Sequence, residues 1–149
     1  MSAVDTSLAD TSSTERPTIG RLAMSWAVGM SLAVVLVTLA YLVAQEVTGA
    51  LLVMGAGEVT LGNVIGFTLM GGTVGAVLAY MSGRFSRQPR LVFLTVCSIA
   101  LAGYAVVPFT AAVSVETALW LNLFHLLVAI PVVGMLSRAL APSHTAVRA

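Results

Sequence analysis

The stretch that decides the fold is residues 91–136, which read LVFLTVCSIALAGYAVVPFTAA, then VSVE, then TALWLNLFHLLVAIPVVGML. Two uncharged apolar runs, residues 91–112 and 117–136, are joined by four residues of which only Glu116 is charged. A helix of about 20 apolar residues crosses the roughly 30 Å hydrocarbon core of a bilayer. Because the connection is so short, we predict that the two runs form an antiparallel transmembrane hairpin.

Two further uncharged runs, residues 22–44 and 60–82, precede this hairpin. The fold class that follows is an all-α membrane protein, a four-transmembrane-helix antiparallel bundle over residues 22–136. The chain is 58% hydrophobic and 9% charged, against about 45–50% and about 25% in soluble domains. Residues 1–21, rich in Ser, Thr and Asp, are predicted to be a disordered tail, and residues 137–149 form a second tail.

The scarce charges are sorted by side. With four spans, all the arginines fall on one side of the membrane, and three glutamates fall on the other. Short cytoplasmic loops carry the Arg and Lys excess, so we predict that both termini are cytoplasmic in a multi-pass plasma-membrane protein. The arginines are Arg16, Arg21, Arg84, Arg87, Arg90, Arg138 and Arg148, and the glutamates are Glu46, Glu58 and Glu116.

Composition also argues against several classes of function. A net charge of +1 with no lysine lacks the basic patch typical of nucleic-acid binders, so no nucleic-acid partner is expected. The single cysteine, Cys97, excludes an internal disulfide and thiolate metal clusters. No paired acids lie within the spans, so we predict no catalytic residue, no cofactor and no metal site.

The second span is rich in glycine. Gly62 and Gly66 form one GxxxG pair, Gly71 and Gly75 form another, and Gly72 lies beside them. Small residues let neighbouring helix backbones approach closely in lipid. Helix packing within one bundle is the first interpretation, and a homo-oligomer interface or a backbone-lined pathway is the alternative.

His125 is the only ionisable residue well inside a span, roughly 12 Å below the outer end of the fourth span. Intramembrane ionisable residues are functional candidates. Asn122 shares its helical face, and hairpin pairing puts Tyr104 at the same depth. A Tyr104 to His125 hydrogen bond would satisfy the imidazole; the functional alternative is a proton relay or ligand contact. Asn63, near the outer end of the second span, is a further polar candidate.

The connection between the first two spans, residues 45–59, is too apolar for a free loop and too short to span. We predict a helical extension or an interfacial segment, with a re-entrant lining as the alternative. At the next outer connection, Ser114 and Glu116 suit the start of the fourth helix, where a hydroxyl and a carboxylate meet exposed backbone N–H groups.

The order of motifs over about residues 20–139 resembles a known family. The second span contains Leu-Gly-x-Val followed by Gly-Gly and Gly-Ala-Val-Leu-Ala, and an Arg-rich turn follows it. The fourth span carries His125-Leu-Leu-Val-Ala-Ile-Pro131, the most specific piece. This pattern is similar to an uncharacterised family of four-span actinobacterial membrane proteins, a domain of unknown function. The resemblance implies a four-helix plasma-membrane protein and supplies no reaction.

The function predicted from the sequence is therefore a small integral membrane protein, a non-enzymatic membrane component or accessory subunit. Its expected partners are the lipid bilayer and either a second copy or another membrane protein. The alternative is an oligomeric channel or transporter for a small solute or ion, using the glycine face of the second span and His125.

Overall fold

The computed structural model of the protein describes residues 18–48, 53–54, 57–112 and 114–141. Within this part of the chain four long helices pack against one another, and two very short strands pair as an antiparallel hairpin between the first two helices. All four helices are long and apolar enough to cross a membrane. In chain order the elements are α1 (Ile19–Thr48), β1 (Val53–Met54), β2 (Gly57–Glu58), α2 (Leu61–Phe85), α3 (Pro89–Ala111) and α4 (Val115–Ala139).

The four-helix membrane fold predicted from the apolar runs is confirmed. Helix α1 continues to Thr48, so the helical extension predicted for the connection is present over residues 45–48. The β hairpin that follows was not predicted. The predicted disordered tail falls almost entirely on residues outside those described, except that α1 already begins at Ile19.

Local sequence accounts for where the helices start. Thr60 caps α2 by accepting a hydrogen bond from the backbone N–H of Asn63, and Ser114 caps α4 in the same way from Thr117. Such caps satisfy backbone donors that the helix itself leaves unpaired. Helix α3 instead begins with Pro89 at its first position, where the missing N–H costs nothing. The cap at Ser114 confirms the start of α4 predicted from the sequence.

Successive helices run in opposite directions, which sorts the charges between the two ends of the bundle. The guanidinium of Arg21, at the start of α1, donates to the backbone carbonyl of Arg138, at the end of α4, over 3.3 Å. We call this the arginine end, since α2 also ends and α3 also begins here, with Arg84, Arg87 and Arg90. The opposite end, which carries Glu46, Glu58 and Glu116, is the acidic end.

The core is divided into two clusters, and α4 contributes to both. The arginine-end cluster draws on all four helices: Leu22, Ala33, Ala79, Phe93, Val132, Leu136, Ala139 and Leu140. The acidic-end cluster draws only on α1, α2 and α4: Val37, Tyr41, Ala44, Val64, Leu121 and Phe124. Helix α3 therefore packs into the core through Phe93 near the arginine end and leaves most of its length uncovered towards the acidic end.

Helices α1 and α4 approach each other closely at Gly29. A Cβ atom placed on Gly29 would lie 3.1 Å from the carbonyl oxygen of Pro131, 3.2 Å from Cα of Val132 and 3.3 Å from Cβ of Met135. A larger residue at this position would therefore force the neighbouring atoms of α4 to shift by a few tenths of an ångström. The packing between α1 and α4 is the most extensive in the molecule, so this crossing fixes the scaffold on which the intramembrane polar residues lie.

Candidate functional site

Tyr104 on α3 and His125 on α4 are neighbours, as the hairpin pairing predicted. Their rings lie with centroids 6.0 Å apart and an interplanar angle of 30°, so they are stacked. The expected Tyr104 to His125 hydrogen bond does not form. The two rings meet because the short turn between α3 and α4 places them at the same depth.

The hydrogen bond of the imidazole goes to its own helix instead. Nδ1 of His125 lies 2.7 Å from the carbonyl oxygen of Leu121, one turn earlier. A carbonyl oxygen only accepts, so Nδ1 carries the proton in this contact. In the neutral imidazole Nε2 is then an acceptor, and it has no hydrogen-bond partner in the part of the chain that the structure describes.

Asn122 lies one turn before His125 and is half-buried. Its Nδ2 donates to the carbonyl oxygen of Ala118 over 3.0 Å. We call Tyr104, Asn122 and His125 the polar patch. Asn63 is not part of it: Asn63 lies exposed in the first turn of α2 at the acidic end, and among the described residues no hydrogen bond joins its side chain to the other three.

The polar patch lies on the outside of the bundle and well inside its length. Tyr104 is 59% exposed, and His125 is also exposed. His125 lies about 15 Å along α4 from its start at Val115, close to half the thickness of a hydrocarbon core of roughly 30 Å. Lipid at that depth in a bilayer offers no hydrogen-bond partner to a tyrosine hydroxyl or an imidazole nitrogen.

The glycines of α2 divide into two groups. A Cβ placed on Gly75 would be in ordinary contact with Val132 and Leu136 of α4, whereas Cβ atoms on Gly66 and Gly71 would meet nothing within 4 Å. A Cβ placed on Gly62 would meet only the side chain of Thr60, two residues earlier in the chain. Packing within one chain therefore explains Gly75 and does not explain Gly62, Gly66 or Gly71.

Gly72, which lies beside the two GxxxG pairs, makes the tightest contact of α2. A Cβ on it would overlap the end of the Met30 side chain. Its carbonyl oxygen accepts a hydrogen bond of 3.1 Å from Nε1 of Trp26 on α1. Trp26 thereby ties α1 to α2.

A second polar cluster, at the acidic end, was missed by the sequence reasoning. The hydroxyl of Tyr41 donates to the carbonyl oxygen of Val59 over 3.0 Å and accepts from Nε2 of Gln45 over 2.8 Å. Tyr41 also packs its ring against Phe124 at a centroid distance of 6.4 Å. A tyrosine four residues before a glutamine on one helix is the only sequence signal for it, and the partner carbonyl is not visible in a sequence. This cluster holds the segment before α2 against α1.

A shallow surface depression at the acidic end is lined by Glu116, Leu119, Trp120 and Leu123 of α4. It is open to the surroundings and does not include the polar patch. In the described ranges, no three His, Cys, Asp or Glu side chains come close enough together to hold a metal ion.

Comparison with known proteins identifies a family. Residues 17–142 match the sequence model described as "Family of unknown function (DUF6069)". The match covers all four helices and both ends of the bundle. No curated protein and no solved structure matches the chain.

Proposed function

We propose that this chain, which belongs to the family of unknown function DUF6069, is a non-enzymatic component of a membrane assembly that acts by binding another membrane-embedded chain. Its character as a small multi-pass membrane protein rests on four helices able to span a bilayer. The observation that carries the proposal is the polar patch. Tyr104 and His125 are exposed residues well inside their helices, and the Tyr104 hydroxyl and Nε2 of His125 have no hydrogen-bond partner among the described residues.

The energetics favour a bound protein over bare lipid at this patch. Moving a hydroxyl or amide-like group into hydrocarbon without a hydrogen bond costs roughly 4–8 kcal/mol on a cyclohexane scale, and acyl chains offer neither donors nor acceptors. Polar residues within membrane spans accordingly tend to face other helices or a water-filled cavity. A helix laid against α3 and α4 would supply the missing partners.

Helix α3 supports the same proposal by its packing. Only Phe93 and Pro108 of its residues are buried, and it takes no part in the acidic-end cluster. Large side chains on its outer surface, such as Ile99 and Val106, are more than 60% exposed. This surface is apolar around the polar patch, as expected for a helix face that contacts another helix in lipid.

We further propose that the membrane is the plasma membrane, in an actinobacterial cell, with both termini in the cytoplasm. The charge separation between the arginine end and the acidic end supports this orientation; the source organism rests only on the resemblance of the sequence. Single cysteines at Gly20 and Glu58 in a chain with Cys97 replaced by Ala would test orientation with a membrane-impermeant thiol reagent. We expect labelling of intact cells at position 58 only; labelling at position 20 would reverse the topology.

The binding role is tested by replacing Tyr104 with the photo-reactive residue benzoylphenylalanine in living cells. Leu39 on α1, 56% exposed and at a similar distance from the acidic end, is the matched control position. We expect a discrete protein adduct on illumination at position 104 and none at position 39. Adducts at neither position, or equally at both, would contradict a specific protein partner.

An oligomeric pathway for a small solute or ion is the second candidate function. It is favoured by Gly66 and Gly71, because a Cβ atom placed on either glycine would meet nothing within 4 Å. Their uncovered backbone would line a pathway only where two or more chains come together. Purified protein in liposomes tests this: flux that Gly66→Leu abolishes and Leu39→Ala leaves intact would establish the pathway. If no flux of anions, cations or protons is measured, the pathway is refuted and only the binding role remains.

A further inference from the structure

The two unpaired groups of the polar patch are chemically complementary to each other. The Tyr104 hydroxyl can donate one hydrogen bond, and Nε2 of His125, whose Nδ1 is committed to the carbonyl of Leu121, can accept one. Within one chain the rings are stacked, and no hydrogen bond joins them. One copy thus presents a donor and an acceptor side by side on the same exposed surface.

A twofold axis satisfies both groups at once. In an isologous dimer the same patch on each subunit contacts its counterpart, so the donor of one chain meets the acceptor of the other, twice. An unrelated helix would need its own acceptor and donor at matching positions. A second copy has them by construction.

The surroundings allow the close approach that such bonds require. Gly103 directly precedes Tyr104, and a Cβ placed on it would meet nothing within 4 Å. Ala100, one turn before Tyr104, is exposed. Small residues at these positions let a second helix backbone come near α3. No charged residue lies on α3 between Arg90 and Ala111, so two copies of this face do not repel each other.

We infer that the protein forms a twofold dimer through α3 and α4, in which the Tyr104 hydroxyl of each chain donates to Nε2 of the partner's His125. The inference rests on the proposed function and identifies its partner as a second copy of this chain. It assigns the polar patch a binding role that needs neither proton transfer nor a ligand.

Disulfide trapping between two differently tagged chains tests the contact directly. Both chains carry Cys97→Ala; one also carries Tyr104→Cys and the other His125→Cys, so that a disulfide between positions 104 and 125 forms only between subunits. We expect a covalent heterodimer under mild oxidation in native membranes. The control pairs a chain carrying Leu39→Cys with a chain carrying His125→Cys. Equal crosslinking in the control pair would indicate nonspecific collision in the membrane and would overturn the inference.

Complementation of two single variants separates a bond across the interface from a structural role. Tyr104→Phe removes only the hydroxyl and keeps the stacked ring, whereas His125→Leu removes the acceptor. Each homodimer should be roughly tenfold or more weaker in energy-transfer measurements in liposomes, because both interchain bonds are lost. The mixed dimer keeps one bond, from Tyr104 of the His125→Leu chain to the partner's His125, and should form preferentially over either homodimer.

Tyr80→Phe on α2, which removes another exposed tyrosine hydroxyl, should leave the dimer unchanged. Equal weakening by Tyr80→Phe, or no preference for the mixed dimer, would overturn the inference.

Photo-crosslinking and disulfide trapping together distinguish failure of the dimer from failure of the proposed binding role. Photo-adducts at position 104 that contain a different protein, without disulfide trapping between copies, would refute the dimer and leave the accessory role standing. No adduct and no trapping would refute both.

Discussion

Replacing Gly29 with alanine tests whether the α1 and α4 crossing depends on backbone contact. The added Cβ would sit 3.1–3.3 Å from three atoms of α4, two of them in the backbone. Backbone atoms cannot move aside as a flexible side chain can, so the helices must separate or shift. The separation would loosen contacts of Ala33 and Val132, which belong to the arginine-end cluster.

Two opposing effects set the magnitude. Overpacking of this kind costs about 1–3 kcal/mol, while alanine recovers about 1 kcal/mol relative to glycine in a helix interior. The net effect at Gly29 is a loss of up to about 2 kcal/mol. Gly66→Ala is the matched control, because the same methyl group would meet nothing there and should gain up to about 1 kcal/mol.

Unfolding in mixed micelles of increasing SDS fraction, followed by circular dichroism, compares the two variants with the parent chain. We expect Gly29→Ala to unfold at a lower SDS fraction and Gly66→Ala at an equal or higher one, with a difference of about 1–3 kcal/mol between them. If Gly29→Ala proved as stable as Gly66→Ala, the close approach of α1 and α4 would not be a constraint on this fold.

Three further substitutions probe individual hydrogen bonds by the same unfolding measurement. Trp26→Phe removes the bond to the carbonyl of Gly72 and should cost about 0.6 kcal/mol and at most about 1.7 kcal/mol, the average and the maximum measured for interhelical bonds in a membrane protein. Tyr41→Phe removes the hydroxyl that donates to Val59 and should cost about 1 kcal/mol and speed proteolysis of the segment before α2. Ser114→Ala removes the cap of α4 and should cost about 1 kcal/mol.

Two of these variants have a control in the described part of the chain that removes the same chemical group where no hydrogen bond of this kind is made. Tyr80→Phe matches Tyr41→Phe, and Ser98→Ala matches Ser114→Ala, since both control side chains are exposed. Equal losses in a variant and its control would mean that the hydrogen bond itself contributes nothing. For Trp26, an unchanged midpoint would show that its ring packing alone holds α1 to α2.

Hydropathy and loop length were sufficient to predict the helices and one contact. The four spans follow from uncharged runs that only a bilayer accommodates, and the four-residue connection before Thr117 made Tyr104 and His125 neighbours. The short loop fixed their relative depth, which is why that pairing could be derived from residue numbers alone.

Rotation of each helix about its own axis could not be predicted in the same way. In a membrane helix the lipid-facing and packed sides are both apolar, so the sequence does not mark which glycines face inward. Gly72 and Gly75 pack, whereas Gly66 and Gly71 do not, although all four look alike in the sequence. The contact of Tyr41 with Val59 was hidden for a related reason, because its acceptor is a backbone carbonyl in a non-helical segment.

The division of the core into two clusters gives each half of the bundle its own fluorophore. The chain has two tryptophans: Trp26 packs against the arginine-end cluster, and Trp120 packs against the acidic-end cluster, with its ring 6.2 Å from that of Phe124. Trp120→Phe would leave emission that reports on the arginine-end cluster, and Trp26→Phe would leave emission that reports on the acidic-end cluster. Comparing their emission wavelengths during denaturation would reveal whether the cluster to which α3 contributes no buried residue loosens first.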